Sequence, residues 1–182
     1  MRLFVAITPP DRVLDRIEAL QSGIPCGQVI PRDNLHLTLA FAGEVDPRDA
    51  EALHDALSDV SCAPVAVVLR GLAAIGQPAP HLLWTNAEGG AGLARLHRSV
   101  RGALHVAGIA ADRQRFRPHV TLARFRAGLA PGEIDRLAGF LSAWGGVTIA
   151  DFIAADVALF RSHLGRHGAR HERLERYALG PG

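Results

Sequence analysis

A strand, helix, strand, helix, strand order runs through this chain twice, and an internal repeat of that kind restricts the fold more than any single motif does. In the first copy "RLFVAI" (2 to 7) has the apolar run of a strand, and "PPDRVLDRIEALQSG" (9 to 23) the pattern of a helix. Pro9 and Pro10 open that helix, Val13, Leu14, Ile17 and Leu20 form its apolar stripe, and Gly23 ends it. "LHLTLAFA" (35 to 42) is a strand, 46 to 60 a second helix and 64 to 75 another strand, closed by the loop "GQPAP". The second copy runs through a strand at 81 to 87, a helix at 92 to 108, a strand at 117 to 125 and a helix at 131 to 145. Strand-like runs at 152 to 162 and 171 to 179 complete it. The expected fold is α+β: two lobes related by a rough two-fold axis, each a β-sheet with outer helices. No linker separates them, so residues 1 to 182 are expected to act as one domain.

The chain's 182 residues, 48% of them hydrophobic, suffice for such a core. The N-terminal apolar run is too short for a signal peptide or a membrane span, so a soluble cytoplasmic protein is expected. Cys26 and Cys62 lack metal-type spacing and are expected as reduced thiols. No self-complementary apolar stripe stands out, and a monomer is expected.

All 20 basic residues are Arg. Without Lys the chain has no Walker-type phosphate loop, no Schiff-base chemistry and no lysyl-nucleotide intermediate. Residues 1 to 91 carry 6 Arg and 11 acids, whereas residues 92 to 182 carry 14 Arg and 7 acids. The basic second half is expected to steer an anionic partner, and Arg suits bidentate phosphate contacts.

Both copies contain His, an apolar residue, Thr, Leu, Ala: "HLTLA" from His36 and "HVTLA" from His119. With nine His and five Thr, Thr should follow His at this spacing only about 0.25 times by chance, so two matching copies call for a cause. Alternation puts His36 and Thr38 on one strand face and Leu35, Leu37 and Leu39 on the other. Likewise Arg117, His119 and Thr121 share a face, with Val120 and Leu122 turned to the core. Packing accounts for the apolar face alone. A two-fold axis between the lobes would set His36 opposite His119, where one neutral and one protonated imidazole act as base and acid. Thr38 and Thr121 add hydroxyl donors. A phosphodiester fits such a site, because attack and departure at phosphorus are in line and on opposite sides.

Paired motifs of this kind resemble those of the 2H phosphoesterases, in particular their RNA 2′,3′-cyclic phosphodiesterase (2′-5′ RNA ligase) branch. "MRLFVAI", "PRDNLHLTLAFAGEV", "RFRPHVTLARF" and "GARHERLERYAL" are all similar to that branch. The resemblance implies a bilobal fold with a central cleft and metal-independent, ATP-independent hydrolysis of a 2′,3′-cyclic phosphate to a 2′-phosphate. The reverse 2′-5′ joining reaction is secondary. It also implies that His36 is the general acid and His119 the base, with Thr38 and Thr121 on the phosphate oxygens. Arg117 and Arg124 are candidates for charge neutralisation, although simple alternation turns Arg124 away from the cleft unless a bulge intervenes. Phe41 or Phe125 offers a face for a base, against core packing as the stronger expectation. Val29 and His171 stand where relatives often carry Trp and another aromatic.

The implied partners are RNA ends bearing a 2′,3′-cyclic phosphate, tRNA fragments among them, or cyclic nucleotides; no metal, cofactor or membrane is implied. His54, His97 and His105 fall on helices as partly exposed residues. His163, His167 and His171 have a four-residue spacing that a helix would align for a metal, but Gly165 and Gly168 interrupt it. Arg161, Arg166, Arg170, Arg173 and Arg176 nearby extend a basic surface. The competing readings are a cyclic nucleotide phosphodiesterase, an RNA-end binder without turnover, and a metal hydrolase built on the C-terminal histidines.

Overall fold

The computed structural model describes residues 1–76, 79–111, 115–125, 129–165 and 168–180. Its elements run β1 (Arg2–Ile7), α1 (Asp11–Gln21), β2 (Gln28–Val29), a 3₁₀ turn (Arg32–Asn34), β3 (Leu37–Glu44), α2 (Pro47–Ser58) and β4 (Val65–Ile75). There follow β5 (Leu82–Glu88), α3 (Gly90–Val106), β6 (His119–Arg124), α4 (Pro131–Trp144), β7 (Thr148–Ala154), β8 (Asp156–Gly165) and β9 (Gly168–Ala178). The expected run from 152 to 162 is in fact two strands that break at Ala155. Among the described residues no helix is long and apolar enough to cross a membrane.

The strands form one antiparallel path, β7-β4-β5-β6-β3-β1-β8-β9, with β2 beside β6. The path has two matching four-stranded halves, so that β3 corresponds to β6, β1 to β5, β8 to β4 and β9 to β7. The two sheets expected from the sequence are these halves, joined where Leu37 of β3 meets Val120 of β6. Each half borrows from the other copy. The third strand of the first repeat, β4, pairs with β5, and β8 from the end of the chain pairs with β1.

The helices cross over in the same way: α1 packs on β6 and β7, and α3 packs on β3 and β4 and against α2. The apolar stripe of α1 places Val13, Leu14 and Ile17 in the main core with Leu37, Leu39, Val120 and Leu122. On the opposite face of the sheet Phe4, Ala6, Ala158 and Phe160 form a second, small apolar cluster. Because β8 and β9 return to the first half, the Arg-rich second half of the sequence is spread over both halves of the fold. Basic groups of that second half line the cleft and the β8–β9 hairpin.

Candidate functional site

β3 and β6 lie side by side at the junction, and their alternation is as expected: Leu35, Leu37, Leu39, Val120 and Leu122 are buried, while His36, Thr38, His119 and Thr121 are half-buried on the cleft face. The two histidines are held alike. Nδ1 of His36 is 2.7 Å from the carbonyl oxygen of Asn34, and Nδ1 of His119 is 2.6 Å from that of Arg117. In each case Nδ1–H donates to the carbonyl two residues earlier, which leaves Nε2 bare and available to take or, once protonated, give a proton.

Their surroundings differ. His36 lies over the small aromatic cluster, 4.9 Å from the Phe4 ring centroid and 6.3 Å from that of Phe160, with His171 edge-on at 5.1 Å. Burial pushes its pKa down from 6.5 to about 4; the Asn34 hydrogen bond opposes this, and the charges of His171, His119 and Arg124 reinforce it. His119 stacks on Trp84 at 4.0 Å, and burial lowers its pKa too, against the pull of the Arg117 carbonyl. That His119 bears on His36 electrostatically puts both imidazoles in one field.

Beyond each Thr the strand departs from simple alternation. On β6, Trp84 pairs with Thr121 and Leu83 with Ala123, so Leu122 is an extra residue; on β3, Ala6 pairs with Thr38 and Val5 with Ala40, so Leu39 is extra. Both are β-bulges. After the bulge, Leu122 and Ala123 are both buried and Arg124 is exposed, its charge lowering the pKa of His36 and of His171. The bulge that Arg124 needed in order to face the cleft is present. Phe41 holds the matching place on β3 and is 52% exposed, whereas Phe125 is buried in the core. The packing expectation thus holds for Phe125 and is corrected for Phe41. Arg117 is exposed and lines the cleft beside His119.

Side chains outside the motifs fix the bulges. Gln21, buried at the end of α1, donates from Nε2 to the carbonyls of Leu122 and Ile30, each at 2.9 Å. His97 of α3 donates from Nδ1 to the carbonyl of Leu39 at 2.8 Å and stacks on Phe116. His97 lies on a helix and is partly exposed, as expected, and its ring is in addition engaged with β3. Asn34 clamps β9 onto the first motif: its Nδ2 donates to the Ala169 carbonyl at 2.7 Å, and its Oδ1 accepts from the His171 N–H at 3.2 Å. Arg32 anchors the same turn to Asp11, Asp15 and Glu18 of α1. Gln21 and Asn34 were not singled out by the sequence, and only a polar residue at the edge of an apolar stripe hinted at the first.

The C-terminal histidines do not form the helical set their spacing allows. They lie on the β8–β9 hairpin, where His163 bonds Glu172 at 2.7 Å and pairs with Arg170, while His171 pairs with Ser162 and faces His36. Successive strand positions put them on opposite faces, and His167 and Arg166 lie outside the described residues. Among the described residues no group of three or more His, Cys, Asp or Glu is placed to hold a metal. Of the hairpin arginines, Arg176 pairs with Asp156, while Arg161, Arg170 and Arg173 are exposed. Val29, on β2 opposite Ala123, is exposed next to the strand end that carries Arg124.

Similarities to known proteins bear on this arrangement. An RNA 2′,3′-cyclic phosphodiesterase of Aeropyrum pernix is 31% identical over 155 residues, covering 84% of this chain and 86% of its own. One of Geobacillus stearothermophilus is 32% identical over 146 residues, covering 79% of this chain, and this chain spans 45% of its length. A solved structure from Thermus thermophilus superposes with a TM-score of 0.79 at 27% identity, covering 98% of both chains. The sequence profile of the 2'-5' RNA ligase superfamily matches residues 9–143, across both histidine motifs and the two helices that brace them, and the chain belongs to that superfamily.

Proposed function

We propose that this protein hydrolyses RNA 2′,3′-cyclic phosphate ends to 2′-phosphates by paired-histidine acid–base catalysis, with 2′-5′ joining as the reverse reaction. The observation that carries the reading is the identical presentation of two imidazoles on one cleft, each with Nδ1 committed to a carbonyl and Nε2 bare. The names of the similar curated proteins support the substrate class.

In the proposed step, His119 Nε2 accepts a proton from water as the water oxygen bonds to phosphorus. The P–O3′ bond breaks in line, and His36 Nε2 gives its proton to the departing 3′ oxygen. Thr38 and Thr121 donate to the equatorial oxygens, and Arg124 and Arg117 offset their charge. A pKa of about 4 leaves His36 without a proton in the free protein at neutral pH. The phosphodiester anion, seated between the rings, favours the imidazolium and loads that proton on binding. The whole chain works as a single phosphoesterase domain, since each motif strand is braced by a helix of the other repeat. Two unpaired cysteines fit a reducing cytoplasm.

The test is hydrolysis of an oligoribonucleotide ending in a 2′,3′-cyclic phosphate, in chelator, by the wild type and by His36→Ala and His119→Ala. A 2′-phosphate product and a loss of about 10²- to 10⁴-fold in each variant are expected. Turnover indifferent to both substitutions, or a 3′-phosphate product, would sink the mechanism.

A further inference from the structure

The cleft does not end at the catalytic pair. Beside His119 and Thr38 it opens into a cavity of about 490 Å³, within the range of small-ligand sites, whose wall includes Phe41, Arg101, Arg115 and Arg117. Among the described residues no Asp or Glu lines it. Among the described residues none of these three guanidinium groups pairs with a carboxylate, although Arg32, Arg70 and Arg176 all do. Three like charges around one cavity repel one another, and an anion relieves that repulsion. The same cavity presents Phe41, a large aromatic side chain left 52% exposed by the bulge on β3. On the other side of the motif pair the His36 ring packs against Phe4, Phe160 and His171. A substrate held at the histidines has room to continue toward the arginines.

We propose that this cavity holds the nucleotide preceding the cyclic-phosphate end, its base against Phe41 and its phosphodiester among Arg101, Arg115 and Arg117. The preferred substrate is then an oligoribonucleotide of at least two nucleotides, and a mononucleoside 2′,3′-cyclic phosphate leaves the cavity empty. This rests on the phosphodiesterase reading above and specifies its substrate. An aromatic face and guanidinium groups recognise a base and a phosphate without regard to sequence, so length and not base identity sets the preference.

The experiment compares kcat/KM for a dinucleotide ending in a 2′,3′-cyclic phosphate with that for the matching nucleoside 2′,3′-cyclic phosphate. It uses the wild type, Arg101→Ala, Arg115→Ala and Phe41→Ala, each checked for folding by circular dichroism. The wild type is expected to favour the dinucleotide by about tenfold or more, and Phe41→Ala to cut that ratio at least about fivefold. Each Arg substitution is expected to lower the ratio severalfold and to weaken its dependence on salt. A wild-type ratio near one, or substitutions that lower both substrates equally, would overturn the assignment. Turnover of the mononucleotide without a length preference removes the cavity assignment alone, whereas no turnover of either substrate brings down the phosphodiesterase reading itself.

Discussion

Leu39 and Leu122 occupy the same place in two separate bulges: each directly follows a motif Thr, each is the extra residue of its strand, and each carbonyl accepts a hydrogen bond from a helix side chain. His97 serves Leu39 and Gln21 serves Leu122. The repeated Leu-Ala after Thr thus has a physical cause. The bulge turns two successive apolar residues inward, and only then can the fifth residue after each His return to the cleft. That residue is Phe41 in one half and Arg124 in the other.

Gln21→Leu is accordingly expected to affect the site from a distance. Losing its donor leaves the Leu122 carbonyl with the Ile30 N–H as its remaining partner and costs about 1–3 kcal/mol of stability. A purely structural defect would stop there. If Gln21 positions Arg124, the variant also raises the His36 pKa, because the positive field that depresses it withdraws. Urea denaturation gives the first quantity and NMR titration of the imidazoles the second; an unmoved His36 pKa would confine Gln21 to packing.

Much of this site was legible in sequence because strand alternation and duplication are local properties. His36, Thr38, His119 and Thr121 needed only a period of two and a repeat. Arg124 was ambiguous by one residue, since a bulge depends on pairing between Leu83, Trp84 and β6 that no local pattern encodes. The crossing of α1 and α3 to opposite halves was hidden for the same reason, and with it the roles of Gln21 and His97. The break at Ala155 was missed because "FIAADVALF" carries one polar residue, Asp156, in an otherwise apolar run and has no Gly or Pro to mark a turn.

The pH dependence of kcat/KM follows from the free-protein pKa values. Acid–base work by the pair needs one protonated and one neutral ring, a state that prevails between the two macroscopic pKa values of the coupled pair. Burial sets His36 at about 4 and holds His119 below 6.5. The expected profile is a bell on the acid side of neutrality whose alkaline limb falls about tenfold per pH unit. A flat profile from pH 6 to 8 would contradict it.

Removing the charge that faces His36 separates binding from titration. Arg124→Ala is expected to lower kcat/KM by about 10²-fold, as for the loss of one donor to a developing charge, and to raise the His36 pKa. Arg124→Lys restores the charge without the planar fork, so the His36 pKa returns while kcat/KM recovers in part. Loss of activity with no movement of that pKa would place the guanidinium away from the cleft.

Burial of His36 also ties folding stability to pH, and the direction is fixed. The folded pKa of about 4 lies below the unfolded value of 6.5, so between these values the unfolded chain binds the extra proton. The stability tied to the neutral ring is complete above about pH 6.5 and is lost as pH falls through the folded value, about 3 kcal/mol in all. His119, His97 and His171 are shifted in the same direction, and carboxylates titrate over part of the same range, so the wild type loses more than this. Comparing it with His36→Phe, which keeps a ring over Phe4, cancels those shared contributions. Between pH 7.5 and 4.5 the wild type is expected to lose about 2–3 kcal/mol more than the variant in urea denaturation. Equal losses would show that the His36 ring takes up its proton in the folded protein as readily as in the unfolded chain.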